Sequence, residues 1–348
     1  MSAIDYAPSP DTGGPAQPLL IVRDLQKYFP VRGGILGRAQ GRVQAVDGVN
    51  FEVKKGETLG IVGESGCGKS TTAKLLIGLT EKDRGEIIFD GKALGRELPL
   101  KDLRRGVQMV FQDSYATLNP RLTILDSVAF GARVQGLPNP ESLARSMMDR
   151  VGLDPDRFAH RYPHELSGGQ RQRVNIARAL AMSPRLVVLD EAVSALDKSV
   201  EAQVLNLLSD LREEFGLTYI FISHDLNVVR YISDRILVMY LGEVVEVAPV
   251  DAIWERQAHP YTRSLFSAMP SMDPDNRTEE PPLAGDPPNP INPPAGCRFH
   301  TRCRHASGVC KTTVPTLAGL PLNAAHRVAC HLHDATSGHP EAGQGVPA

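Results

Sequence analysis

The sequence predicts an α/β protein: a parallel sheet covered by helices on both faces, with an antiparallel sheet beside it. Wholly apolar strands, Leu186-Val187-Val188-Leu189 and Tyr219 to Ile222, alternate with helical patterns such as 199–214, as in a sheet buried on both sides. Earlier strand signals at 19–28, 49–53, 57–62 and 86–89 are separated by short turns, among them Asp90-Gly91, which favours antiparallel pairing. Finally, the apolar run Thr58 to Val62 leads into a glycine-rich turn and then a helix-like run, Thr71 to Leu79.

That turn carries the chemistry. Gly63-Glu64-Ser65-Gly66-Cys67-Gly68-Lys69-Ser70 reads G-x-x-x-x-G-K-S, the phosphate-binding loop pattern. Glycines let backbone N–H groups face phosphate oxygens without side chains in the way. The helix start adds roughly half a positive charge. Lys69 is expected to reach the β- and γ-phosphates, Ser70 to hold Mg²⁺, and Thr71 to follow at the helix start. The fold class is therefore a P-loop NTPase core.

From about 122 to 182 the pattern is mostly helical, with apolar spacings of three and four in 124–134, 141–151 and 169–182. Strands at 235–240 and 243–247 close this part, and no internal repeat is found. The insert VRGGILGRAQGRVQ is expected to be a loop between two strands. The proline-dense stretch EEPPLAGDPPNPINPP is expected to be extended and stiff. The region beyond it is too short and polar to build a large core, so a bound metal would supply what packing does not.

The chain has 348 residues, with 38 Lys plus Arg against 40 Asp plus Glu and a formal net charge of -2. This balance gives no global pull toward nucleic acid. No apolar run approaches the roughly 18 residues of a membrane span. The N-terminus has neither the basic start nor the apolar core of a secretory signal and reads as a disordered tail over 1–18. A cytoplasmic protein is expected, serving a membrane only by docking on another protein.

Two carboxylates, Asp190 and Glu191, end the buried strand that starts at Leu186. In a phosphate-loop protein such an Asp holds the Mg²⁺ shell, and the next carboxylate can take a proton from attacking water. Leu166-Ser167-Gly168-Gly169-Gln170 opens the helix RQRVNIARALA, a second helix N-terminus suited to an anion.

These motifs together resemble the ATP-binding subunit of an ABC transporter. LSGGQ is that family's signature, and the other motifs follow in order: Gln112 in MVFQD, Asp197 in SALD and His224 in FISHD. The resemblance covers about 19–270. It implies an ABC nucleotide-binding domain over 19–255, with a helical signature subdomain at about 113–180. It also implies a head-to-tail dimer with ATP shared between Lys69, Ser70 and Asp190 of one chain and Ser167 and Gly169 of the other. Glu191 is implied as general base, His224 as the γ-phosphate contact, and Gln112 as a contact to both the metal shell and the membrane subunits. Asp197 falls at the interface. Phe29 sits where the family stacks a ring on adenine, with Tyr28 the adjacent candidate.

The remaining segment, 256–348, resembles the C-terminal extension of the oligopeptide and dipeptide importers within that family. Ala258-His259-Pro260-Tyr261-Thr262-Arg263-Ser264-Leu265, DEAVSALD and PPAGCRFHTRCRHASGVC…HRVACHLH carry the likeness, with Ala192 in place of the usual proline. Four of the five cysteines lie here, Cys297, Cys303, Cys310 and Cys330, with five, six and nineteen residues between them. The C-x₂₋₄-C pair of most zinc sites is absent, and widely spaced Cys₄ ligation suits an iron–sulfur cluster. The resemblance also implies a 4Fe–4S cluster, with Zn²⁺ as the alternative. Arg298, Arg302 and Arg304 are expected to offset the negative charge of such a site.

The function implied is an ATPase powering uptake of peptides or a related small solute at the cytoplasmic face of the inner membrane. Its implied partners are a second ATPase subunit, two permease subunits and an extracytoplasmic solute-binding protein. Two alternatives are a soluble ABC ATPase acting on ribosomes or DNA and an exporter ATPase. The former usually carries two cassettes or a long coiled-coil insert. Exporter cassettes are often fused to membrane spans and lack the cysteine tail.

Overall fold

A computed structural model describes residues 11, 13–14, 16–33, 38–269 and 285–343. Its strands are β1 (Leu20–Gly33), β2 (Arg38–Val53), β3 (Thr58–Val62), β4 (Arg84–Phe89), β5 (Lys92–Ala93), β6 (Val107–Val110), β7 (Leu186–Asp190), β8 (Thr218–Ile222), β9 (Arg235–Tyr240), β10 (Glu243–Pro249), β11 (Ala318–Leu320) and β12 (Asn323–Val328). Its helices are α1 (Lys69–Leu76), α2 (Leu100–Gly106), α3 (Ile124–Gln135), α4 (Pro140–Arg150), α5 (Pro155–Phe158), α6 (Gly168–Leu180), α7 (Lys198–Phe215), α8 (Leu226–Ile232), α9 (Val250–Glu255), α10 (Pro260–Ser267) and α11 (Gly308–Thr312).

Two sheets form, as the strand patterns predict. The smaller runs β2-β1-β4-β5 and is antiparallel. The larger runs β11-β12-β10-β9-β3-β8-β7-β6. Its five strands from β9 to β6 are parallel, and β10, β12 and β11 extend it antiparallel.

The apolar strands explain the layering. Along β7, Leu186 and Val188 pack with the antiparallel sheet, while Val187 and Leu189 face the helical side. Ile220 and Ile222 on β8 alternate with Tyr219 and Phe221 in the same way. Alternation is invisible in the sequence because both faces are covered, and each fully buried aliphatic contributes roughly 1.5–3 kcal/mol. Between β6 and β7 the chain inserts α3 to α6, whose buried residues Val128, Ala132, Met147 and Val174 join the helical-side core.

Two expectations need correction. The insert after residue 30 is not a loop but an extension of the β1–β2 hairpin, paired as far as Gly33↔Arg38. Only its tip, 34–37, lies outside the described residues. The cysteine region builds no large core of its own, as expected, but packing against the ATPase core supplies support that the expectation assigned to a bound metal. It joins the ATPase core through β12, which pairs with β10 at Glu246↔Val328, and through Phe299, which is buried against Tyr240 and Tyr261. Glu246 is wholly buried at this seam. Its carboxylate accepts from the N–H groups of Ala258 and His259 and pairs with His326 Nε2 at 2.6 Å. A buried carboxylate requires such partners.

Residues 1–10, 12 and 15 of the expected tail lie outside the described residues, as do 279–284 of the proline-dense stretch. Asp11 forms an ion pair with Lys55 at 2.6 Å.

Candidate nucleotide site

Sheet order dictates which loops meet. The strands β3, β8, β7 and β6 are parallel neighbours, so the segments leaving their C-terminal ends emerge side by side. In that order they deliver the glycine loop with α1, then His224, then Asp190 and Glu191, then Gln112. Ligands of open α/β sheets bind at this edge, and here it lies where β3 separates β8 from β9.

The loop is built for close approach. A Cβ on Gly63 would stand 2.2 Å from the Met239 carbonyl oxygen, and one on Gly68 would stand 2.2 Å from that of Ala45. Gly68, at φ 110, also turns the chain into α1. The first N–H groups of α1 have no intrahelical acceptor and face the cavity with the positive end of the helix dipole. Lys69 is buried along the loop, donating to the Gly63 and Glu64 carbonyls at 2.7 and 3.0 Å. Buried Cys67 has its thiol pKa raised by desolvation.

Opposite the loop, Ser70 Oγ donates to Asp190 Oδ1 at 3.0 Å. Burial raises the Asp190 pKa above the ordinary carboxylate value. Glu191 takes a left-handed conformation, φ 48. Its Oε2 accepts from Gln112 Nε2 at 2.8 Å and lies 3.4 Å from His224 Nδ1. A strained residue at this point aims one carboxylate oxygen at two polar partners. A cavity of about 390 Å³ is lined by Ala45, Ser65, Gly66, Gly68, Lys69, Ser70, Thr71, Gln112, Glu191 and His224, while Gly63, Glu64, Cys67 and Asp190 stand behind that lining.

Other expected residues stand elsewhere. Ser167 caps α6: its Oγ accepts from Gln170 N, and Gln170 Oε1 accepts from Ser167 N. Gly168 and Gly169 form the first turn of that helix, and Asp197 stands at the N-cap position of α7 without a side-chain hydrogen bond to it. None of these lines the cavity. Phe29 is exposed on β1 with Lys27 over its ring, also away from the lining residues. The Tyr28 hydroxyl is occupied by Asp47 at 2.6 Å.

The four C-terminal cysteines converge on one small, enclosed cavity, which they share with His259, His300, His305, His331 and His339. Burial pushes Cys303 up to about 11 and Cys297 and Cys330 up to about 12. Among the described residues, no three His, Cys, Asp or Glu side chains are arranged to hold a single metal ion. A lone Zn²⁺ needs its sulfurs within about 2.3 Å of one centre. A cluster spreads its cysteine ligands over several irons.

Two of the arginines between the cysteines, Arg298 and Arg302, take carboxylate partners outside that cavity, contrary to the sequence expectation. Arg298 pairs with Asp47 and with Glu243 (2.9 Å), and Arg302 pairs with Glu64 in the phosphate loop. Tyr261 also reaches the loop, its Oη accepting from Glu64 N at 2.8 Å. Sequence reading missed these contacts, since nothing local in the chain links residues 64, 261 and 302.

Comparison with known proteins agrees with this geometry. Residues 46–194 match the family model described as ABC transporter, and residues 245–310 match the oligopeptide/dipeptide transporter C-terminal region. An oligopeptide transport ATP-binding protein of Bacillus subtilis, AppF, is 47% identical over 92% of this chain and 99% of its own. A probable peptide ABC transporter ATP-binding protein of Sinorhizobium fredii is 48% identical over 90% of each chain. Among solved structures, cbiO1 of Clostridium perfringens, part of an ABC transporter complex, is similar with a TM-score of 0.58 and 28% identity, covering 69% of this chain and 92% of its own. The cassette MJ0796, solved as a post-hydrolysis dimer with ADP and Pi, has the same TM-score at 30% identity, covering 66% of this chain and 98% of its own. The chain therefore belongs to the ATP-hydrolysing subunits of ABC transporters, in the oligopeptide/dipeptide transporter family.

Proposed function

We propose that the chain is the motor of an importer that takes up di- or oligopeptides or a related small solute. Residues 19–255 act as the motor and 256–348 as its extension. The observation that carries the mechanism is the convergence of Gln112 and His224 on one oxygen of Glu191, beside the Ser70–Asp190 pair.

In this reading the loop amides and Lys69 bind the phosphates, and Ser70 and Asp190 hold Mg²⁺, which supplies charge neutralisation when bound. Glu191 accepts a proton from the attacking water at its Oε2, oriented by Gln112. His224 holds the terminal phosphate in line. Ser167, Gly169 and Asp197 lie outside the cavity, which supports their service to the nucleotide of a partner subunit. Each chain then offers half of two sites, and ATP closes the dimer because its charge is satisfied only when both halves meet.

A groove lined by Leu79, Met109, Phe111, Phe130, Arg104 and Arg178 opens between the parallel core and α3. Leu79 and Phe130 are 56% and 57% exposed there. It adjoins Gln112, and its proposed occupant is a segment of a permease subunit. Among the described residues no helix is long and apolar enough to cross a membrane, consistent with peripheral attachment at the cytoplasmic face of the inner membrane. The four cysteines are proposed to hold a 4Fe–4S cluster. The observation behind this is the one cavity that all four line, with Zn²⁺ as the alternative occupant.

Proteoliposomes holding the chain with its permease, partner ATPase and solute-binding subunits test the reading. ATP-dependent accumulation of labelled di- or oligopeptides is expected. Hydrolysis stimulated by ribosomes or DNA, with no uptake of peptides or related solutes, would overturn it.

A further inference from the structure

Glu64 occupies a variable position of the phosphate-loop pattern, yet every polar group it has is engaged. Its carboxylate accepts a two-pronged pair from Arg302, Nη1 to Oε2 at 2.9 Å and Nη2 to Oε1 at 3.1 Å. Its N–H donates to Tyr261 Oη at 2.8 Å. Its carbonyl accepts from Lys69 Nζ at 3.0 Å and from Cys67 N at 3.3 Å. One residue thus joins the phosphate-binding lysine to two side chains that lie 197 and 238 residues further along the chain.

Both outer partners are held rigidly. Tyr261 is fully buried, with ring centroids 4.5 Å from Tyr240 and 5.5 Å from Phe299. The Arg302 side chain is 6% exposed, against 23% for Glu64. Its backbone N–H donates to Phe299 O, so the turn carrying Arg302 is anchored by the same aromatic cluster. A planar, two-bond ion pair fixes direction as well as distance, unlike a single contact between mobile surface charges.

From these contacts we infer that Tyr261 and Arg302 are positioning residues for ATP binding: acting through Glu64, the C-terminal extension sets the path of the phosphate loop and the reach of Lys69. The inference rests on the cavity being the ATP site, which ATP titration of the unaltered chain tests by itself. Loss of the grip weakens contacts made equally to bound ATP and to the transition state, so it raises KM while sparing kcat.

The test is ATPase kinetics of the full chain assembled with its partner subunits. Arg302→Ala is expected to raise the KM for ATP about tenfold, with kcat within about twofold, and Arg302→Lys to recover part of the loss. Glu64→Gln combined with Arg302→Gln is expected to cost no more than the worse single change, because both remove one interaction. Tyr261→Phe keeps the ring packed and removes one hydroxyl, and is expected to raise KM about threefold. This variant decides the matter if Arg302→Ala does not fold. Unchanged KM in Tyr261→Phe, additive effects in the Glu64/Arg302 pair, or a lowered melting temperature with normal ATP affinity would overturn the inference and leave only a structural clasp.

Discussion

The nucleotide cavity and the cysteine cavity are linked through one aromatic cluster, in which Phe299 lines the second and Tyr261 bonds the loop of the first, yet they differ in character. The first is open and polar. Its charges are paired weakly, through backbone carbonyls on Lys69 and a hydroxyl on Asp190, and remain exchangeable. The second is enclosed, and burial holds its thiols protonated, at about 11 to 12 for three of the four. The nucleotide cavity opens beside buried Lys69 and Asp190, so a ligand can reach them and leave. Were the proposed cluster bound in the cysteine cavity, its cationic irons would supply the charge that makes buried thiolate favourable.

The sharpest way to break this contrast is at Glu191. Glu191→Gln preserves the shape of the side chain and its contact with Gln112 but removes the base. Hydrolysis is expected to fall by about 10²–10⁴-fold or more while ATP still binds and holds a closed dimer. Radiolabelled phosphate release and size-exclusion chromatography with ATP check both halves. Normal turnover would take Glu191 out of the role.

The cysteine cavity makes a prediction of a different kind. Protein purified without oxygen is expected to carry about four irons per chain and a broad visible absorption band, and Cys310→Ser to lose most of both. Because the cavity adjoins the seam with the ATPase core, the same change is expected to lower the melting temperature. A colourless protein with one zinc per chain would reverse the assignment.

The smallest effect sharpens the comparison by pH. Burial pushes His259, at the seam, down to about 4 from an ordinary 6.5, with Glu246 opposing and His333 adding to the shift. Between these values the unfolded chain binds the proton that the folded chain refuses. Stability from this residue is therefore complete above pH 6.5 and is lost as pH falls toward 4, by roughly 2 kcal/mol at pH 5. Thermal melts of the parent and His259→Gln from pH 7 to pH 5 are expected to converge as pH falls. Parallel curves would show that His259 titrates normally.

Much of the nucleotide site was legible because its physics is local. A loop that approaches phosphate needs glycine at Gly63 and Gly68, where any Cβ would strike a carbonyl. The carboxylates must follow a buried strand immediately, so Asp190 and Glu191 advertise their role by position. The β1–β2 hairpin was misread because Gly33, Gly34 and Gly41 look like a loop one residue at a time, whereas paired strands satisfy their backbone whatever the side chains. Strands β11 and β12 gave no signal because they are short and largely exposed.

The sequence by itself determined the parallel core and the phosphate loop, since each depends on residues within a few positions of one another. Tertiary structure alone decided which ends met. It placed Gln112, Glu191 and His224 within reach through the order of β6, β7 and β8. It turned Arg298 and Arg302 away from the cysteines toward Asp47, Glu243 and Glu64. Buried charges take whichever opposite charge the fold brings nearest, and that partner can lie 238 residues away in the chain.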